Sequence, residues 1–299
     1  MINRVTQQTI QRTTLAHLQS NLGRAAELQA RLSSGKVIER ASDDPNAAGR
    51  AMALRADKAA STQALRNADD GVAWLAQIDT TLQSSLSAIR RARDLTVQGS
   101  NTGVLNATSR EAIATELEGL RDTLLDLANT NLNGRSLFAG TSASGVAFED
   151  GASATPYAFN GAPGGEVTRR LGADATVRVD ADGAAAFGDG AGSVFALLDT
   201  IAGELRAGTD VSGRLNDLDA RLDSMLETVA DVGIRYKQVT DAQSSLQLRI
   251  QDLTTGISGI EDIDLAETIL ELQMQEVAYQ GSLGAASRVL QPTLMDFLR

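Results

Sequence analysis

The sequence predicts a mainly α protein: long helices in a coiled-coil-like bundle, with paired N- and C-terminal helices and a small central β insert. Three observations predict it. Apolar residues recur in alternating three- and four-residue steps over long stretches toward both ends, which is the spacing of a helical seam. A middle stretch turns instead to Gly, Ala, Ser and Asp, with short β-prone runs between glycines. Only 3% of the residues are aromatic, with one Trp and three Tyr, so a large aromatic core is not expected and aliphatic seams must carry the packing. A chain of 299 residues is ample for such a core.

The first seam reads Leu15, Leu18, Leu22, Ala25, Gln29, Leu32. Its helix closes at Ser34, because Gly35 can take the left-handed conformation that ends a helix. The next helix is announced by Ser42-Asp43-Asp44-Pro45: Asp44 is a good N-cap, and Pro45 suits the first helical position. That helix runs to about Gln98 on the seam Leu65, Ala68, Val72, Leu75, Asp79, Leu82, Leu86, Ile89. Thr108-Ser109-Arg110-Glu111 has the form of a capping box. The helix behind it carries Ile113, Leu117, Leu120, Leu124 and Leu127, and is expected to stop at the turn residues Asn133-Gly134.

Residues 138–192 form the β-prone insert, with candidate strands at Gly145 to Phe148, Tyr157 to Phe159 and Thr176 to Val179. Helix returns from Val194 to about Arg206. The longest seam then runs from Leu215 and Leu218 through Met225, Val232 and Val239 to Ile260. A helix of about 45 residues would be about 65 Å long, a rod that a compact enzyme domain seldom needs. The register slips at Gly259 to Asp264 and resumes as Leu265, Ile269, Leu272, Glu276, Tyr279, Leu283, Ala286, Leu290. The chain closes on Pro292 and the apolar tail Leu294, Met295, Phe297, Leu298. Short seam helices thus stand at both ends, and the simplest packing pairs them with each other.

Composition and motifs argue against other functions. A net charge of −11 and a pI near 4.7 leave no basic stripe for nucleic acid. With no cysteine, thiolate catalysis, disulfides and Cys-bound zinc are excluded. No signal-peptide core and no run of about 18 apolar residues is present, so membrane insertion is not expected. His17 is the lone histidine and reads as a surface residue beside the first seam. Ser34-Gly35-Lys36 is not a phosphate loop, since Ala30 stands where the first Gly is needed and Val37 where Ser or Thr should be. Asp180, Asp182 and Asp189 lack the further ligands of a calcium loop and read as turns. Asn106-Ala107-Thr108 matches a glycosylation acceptor only as such a short pattern often does by chance. No catalytic residue, cofactor or metal is expected.

Arg31-Leu-Ser-Ser-Gly-Lys36 followed by Ala41-Ser-Asp-Asp-Pro-Asn-Ala-Ala48 resembles the N-terminal signature of the flagellin superfamily, in the Ser-Asp-Asp-Pro form of its hook-filament junction branch. Gly134-Arg-Ser-Leu-Phe-Ala-Gly140, Ile260-Glu-Asp-Ile-Asp-Leu-Ala-Glu267 and Ala285-Ala-Ser-Arg-Val-Leu-Gln-Pro292 resemble the same group at corresponding places. Flagellins usually carry Lys-Asp-Asp-Ala-Ala-Gly in place of Ser42 to Ala47, and Ser136 stands where an aromatic is usual.

The resemblance implies an inner coiled-coil domain from residues 1–35 and 259–299, a connecting spoke at 36–44, and a helical rod from 45–137 and 193–258 that carries the insert. It implies assembly through Leu15, Leu18, Leu22, Leu32, Leu265, Ile269, Leu272, Leu283, Leu290 and Phe297, with Gly35, Ser42, Asp43, Asp44 and Pro45 shaping the spoke and helix start. The implied function is a structural subunit joining hook to filament, exported to the cell exterior without a cleaved signal peptide. Its implied partners are the first hook-associated protein, flagellin, an export chaperone and further copies in a ring. The alternatives are a flagellin forming the filament itself, or a cytoplasmic helical scaffold.

Overall fold

The computed structural model describes residues 2–101, 106–162 and 164–290. Among them are seven α-helices and two short antiparallel strand pairs, the mainly α class expected from the seams. Helix α1 (Ile2–Ser34) ends at Gly35, whose φ of 70° turns its N–H back onto the Arg31 carbonyl at 2.8 Å. Helix α2 (Pro45–Gly99) begins as the sequence reading has it: Asp44 Oδ1 accepts from the N–H groups of Asn46 and Ala47, both at 3.0 Å. No helix among the described residues is long and apolar enough to cross a membrane.

Helix α3 (Ala107–Ala128) departs from expectation at both ends. Its cap is Asn106, which accepts from Ser109 N–H at 2.7 Å, so Thr108 lies inside the first turn and makes no capping box. Asn is as good a cap as Thr and stands earlier in the chain, so the helix starts there. The helix stops at Ala128, before Asn133-Gly134, because Asn129 leaves it to hold the insert. Its side-chain oxygen accepts from Ala147 N–H and Phe148 N–H at 2.8 and 2.9 Å, and its amide donates to the Phe148 carbonyl at 3.1 Å. Asn133 and Gly134, with φ of 53° and 78°, then turn a hairpin between β1 (Asn131–Leu132) and β2 (Arg135–Ser136).

The insert holds less sheet than its β-prone runs suggested. Thr176 to Arg178 is a strand, β4, but it pairs with β3 (Thr168–Arg170), which the β-prone runs did not mark. The two earlier runs meet only at one isolated bridge, Phe148 with Phe159. An aromatic cluster takes the place of a sheet. Phe148 and Phe195 lie 5.2 Å apart, Phe138 and Phe187 5.3 Å, and Phe187 and Phe195 5.8 Å. Five of the six phenylalanines fall between residues 138 and 195, so the low overall share conceals a local concentration. Helix α4 (Gly183–Phe187), a 3-10 turn (Gly190–Gly192) and α5 (Val194–Ala207) complete this region, with Ser193 capping α5.

Helices α6 (Arg214–Glu261) and α7 (Leu265–Leu290) follow. The chain forms two compact units, Ala60–Arg249 and Met1–Ala59 with Ile250–Arg299, so the division lies inside α2 and α6. In the first unit Leu218, Met225 and Val239 of α6 are wholly buried and Val232 nearly so, one residue every seventh. They meet a broader face of α2 that includes Trp74, Leu75, Ile78, Leu82, Leu86 and Ile89. Ile78 fills the core beside Asp79, which is only half-buried. Gly71 of α2 lies close to both the insert and α6: a Cβ there would sit 3.3 Å from Val179, a tight contact, and 3.5 Å from Val239, an ordinary one.

Polar contacts lock the same unit. Tyr157 donates to Asp199 at 2.5 Å and Asp199 also pairs with Arg121; burial first, and the Asp199 carboxylate second, push the Tyr157 hydroxyl above its ordinary range. Arg206 spans Glu111 and Glu118, and Arg93 pairs with Asp219; hydrogen bonds from these guanidinium groups hold all three carboxyls below their usual range.

Two outcomes follow for the unit Ala60–Arg249. Phe148→Ala opens a cavity in the aromatic cluster and should cost about 3 to 5 kcal/mol, read as a lowered urea midpoint. The depressed carboxyls bind fewer protons folded than unfolded, so their stabilisation is full above the unfolded value of about 4.3 for Glu and lost as pH falls through the folded values. Urea midpoints should therefore drop below about pH 5, and Arg206→Ala should flatten that drop.

Candidate assembly surface

The described residues hold no cluster of three or more His, Cys, Asp or Glu arranged for a metal. The sequence-predicted residues converge instead on the terminal helices. Where α1 ends, Gly35 to Val37 run beside Glu261 to Ile263: Val37 N–H donates to the Glu261 carbonyl at 2.7 Å, and Ile263 N–H to the Gly35 carbonyl at 3.1 Å. From this crossing α1 and α7 run antiparallel and in contact, with Gln275 Nε2 donating to the Asn21 carbonyl at 3.1 Å.

Burial along both helices follows a three-four step. On α1 the covered positions are Thr14, Leu18, Asn21, Ala25, Leu28 and Leu32; on α7 they are Thr268, Leu272, Gln275, Tyr279, Ser282 and Ala286. Six of these twelve are Thr, Asn, Gln, Ser or Tyr, so the contact is half polar. Leu18, Leu32 and Leu272 from the sequence-read seam take part in it. Leu15 and Leu22 do not, each being 55% exposed, and Leu265, Ile269 and Leu283 are 58%, 46% and 44% exposed.

These five bare residues form a face. With about 100° between successive helical residues, and the helices antiparallel, all five lie on one side of the pair. Leu270, Met274 and Val277, exposed at 57%, 57% and 70%, line the far side of α7. A helix apolar on several sides is one built to be covered on several sides. Leu290 ends α7 and its side chain is not among those described; Phe297 lies outside the described residues.

The residues between α1 and α2 are held by local bonds. Asp43 Oδ2 accepts from the N–H groups of Arg40 and Glu39 at 2.8 and 3.2 Å, and the Arg40 bond foremost keeps its carboxyl below the usual range. Ser42 is exposed and its hydroxyl donates to Asp43. On the α7 side Asp264 Oδ1 caps the helix through Ala266 N–H at 2.9 Å and Glu267 N–H at 3.1 Å.

Sequence reasoning passed over Glu261. Only 6% exposed, its carboxylate accepts from Lys36 Nζ at 3.2 Å and Arg55 Nη2 at 2.6 Å. The available signal was the run of acids, Glu261, Asp262 and Asp264, at the slip of the apolar register from Gly259 to Asp264.

Residues 3–143 match the bacterial flagellin N-terminal helical region. Flagellar hook-associated protein 3 of Salmonella typhimurium is 26% identical over 93% of this chain and 94% of its own. Flagellin of Bacillus subtilis is 28% identical over 90% of each. The fold is similar to that of the solved flagellar hook-associated protein 3 from Legionella pneumophila, with a TM-score of 0.63 and 13% identity over 70% of this chain and 98% of that one. The resemblance carried by the break and cap motifs is thus borne out: residues 3–143 are similar to the flagellin N-terminal region, and the likeness to flagellar hook-associated protein 3 runs over 93% of the chain.

Proposed function

We propose that this chain is a structural subunit of the bacterial flagellum that joins hook to filament as an adaptor layer. The observation that carries the reading is the bare apolar side of the terminal pair, Leu15, Leu22, Leu265, Ile269 and Leu283, in a chain similar almost end to end to flagellar hook-associated protein 3. Each such side chain, covered on assembly, contributes up to about 1.5 to 3 kcal/mol before ordering costs. Residues 1–35 and 259–299 form the assembling layer, 36–44 the spoke, and the rest of the chain the rod and its insert. Further copies make a ring, the first hook-associated protein and flagellin are the neighbours on either side, and an export chaperone covers the C-terminal helix beforehand. The subunit acts outside the cell and is not an enzyme.

The similarity to Bacillus subtilis flagellin gives a second reading, a filament subunit. Ser42-Asp43-Asp44-Pro45, in place of the usual flagellin form, favours the junction.

Deleting the gene should leave bare hooks, shed flagellin into the medium and stop swimming. Loss of the major filament polypeptide would make the chain a flagellin, and intact swimming would return the reading to a cytoplasmic scaffold. Complementation separates folding from assembly. Leu22→Asp with Leu283→Asp changes two exposed positions, so the purified variant should keep its far-ultraviolet circular dichroism yet fail to restore swimming. Normal swimming of the double variant would remove the bare face from the mechanism.

A further inference from the structure

We infer that Glu261 is a positioning residue that sets the axial register of α1 against α7. Three segments far apart in the chain meet on it: the exit of α1 through Lys36, an early turn of α2 through Arg55, and the end of α6, whose last residue it is. Its own carbonyl accepts from Val37 N–H, and two residues on Ile263 N–H returns a bond to the Gly35 carbonyl. The α1 exit is therefore pinned by side chain and backbone together, at a residue four positions before α7 begins.

The seam of the pair specifies that register only weakly. Its covered positions repeat at three-four steps, and half of them are polar, so sliding one helix by a turn, about 5.4 Å, offers each stripe a similar partner. Polar pins are what distinguish such alternatives. Besides the crossing, Gln275 donating to the Asn21 carbonyl is a side-chain pin between the two helices. Sliding α1 would draw Lys36 away from a carboxylate that is 6% exposed, leaving a buried charge with less compensation. Register matters because the bare face is composite: Leu15 and Leu22 come from α1, and Leu265, Ile269 and Leu283 from α7. A slipped pair keeps all five residues and loses their arrangement.

The inference rests on the proposed function only for what the register serves, and its test is read on the isolated chain. The chain has no cysteine, so engineered pairs report without background. Asn21→Cys with Gln275→Cys should cross-link readily under mild oxidation. Adding Glu261→Ala should slow that closure at least about fivefold and raise the product of Asn21→Cys with Tyr279→Cys, one turn away. Glu261→Gln, which keeps the shape and one acceptor oxygen but not the charge, should fall between. Unchanged rates and no off-register product with Glu261→Ala would overturn the assignment. Should that variant detach α1 altogether, Lys36→Ala and Arg55→Ala decide: each must raise the off-register product, and if neither does the inference fails. Failure of the motility test with these cross-links as expected would leave the register intact and remove only its proposed use.

Discussion

An apolar stripe with one fully buried residue in seven covers a single line of a helix, and every long helix here depends on finding a partner for that line. Isolated helices gain little in water, so the stripe decides which of them are stable. Within Ala60–Arg249 the requirement is met inside the chain. Leu218, Met225, Val232 and Val239 of α6 meet a face of α2 that is several residues wide, and α3 packs against α5. In the terminal pair it is met in part: the helices cover one stripe of each other and leave the next, more apolar, stripe bare.

The insert solves a different problem with different means. Its two strands are three residues long and could not stand alone. Phenylalanines 138, 148, 187 and 195 supply the buried mass, while single polar residues tie it to helices: Asn129 to the Phe148 carbonyl at 3.1 Å, Arg235 to the Asp180 carbonyl at 2.9 Å, and Arg169 to Asp70 at 2.6 Å. Asp180 is fully buried yet satisfied by Arg178 and Val167 N–H, so it adds specificity without an orphaned charge.

What could be read in the sequence follows from this physics. Helix breaks were legible because Gly35, Asp44 and Pro45 act locally, through φ and a cap bond, whatever packs nearby. The α6 stripe was legible because burial on one line leaves a strict repeat. The insert was poorly legible: β-branched and aromatic runs signal strand, but Phe148 and Phe159 went to a cluster held by long-range contacts. The α1–α7 contact was misleading for a related reason. Hydropathy marks Leu15, Leu22, Ile269 and Leu283, whereas the helices meet through Thr14, Asn21, Gln275 and Ser282, which carry no apolar signal. Glu261 was hidden because its partners stand 206 and 225 positions away.

That mismatch between the apolar stripe and the contact stripe is itself informative. Had the pair met through its most apolar residues, it would be self-sufficient, and its outer sides would be free to be polar. It meets instead through a half-polar seam in which most side chains keep some exposure, a contact that adds little beyond the ordering cost of two long helices. Large aliphatic groups, Leu15, Leu22, Leu265, Ile269 and Leu283, are turned outward, away from that seam. On the proposed assembly, pairing within the chain is the weaker of two associations, and its service is geometric: it would hold two halves of an apolar face level with each other for the stronger association to cover.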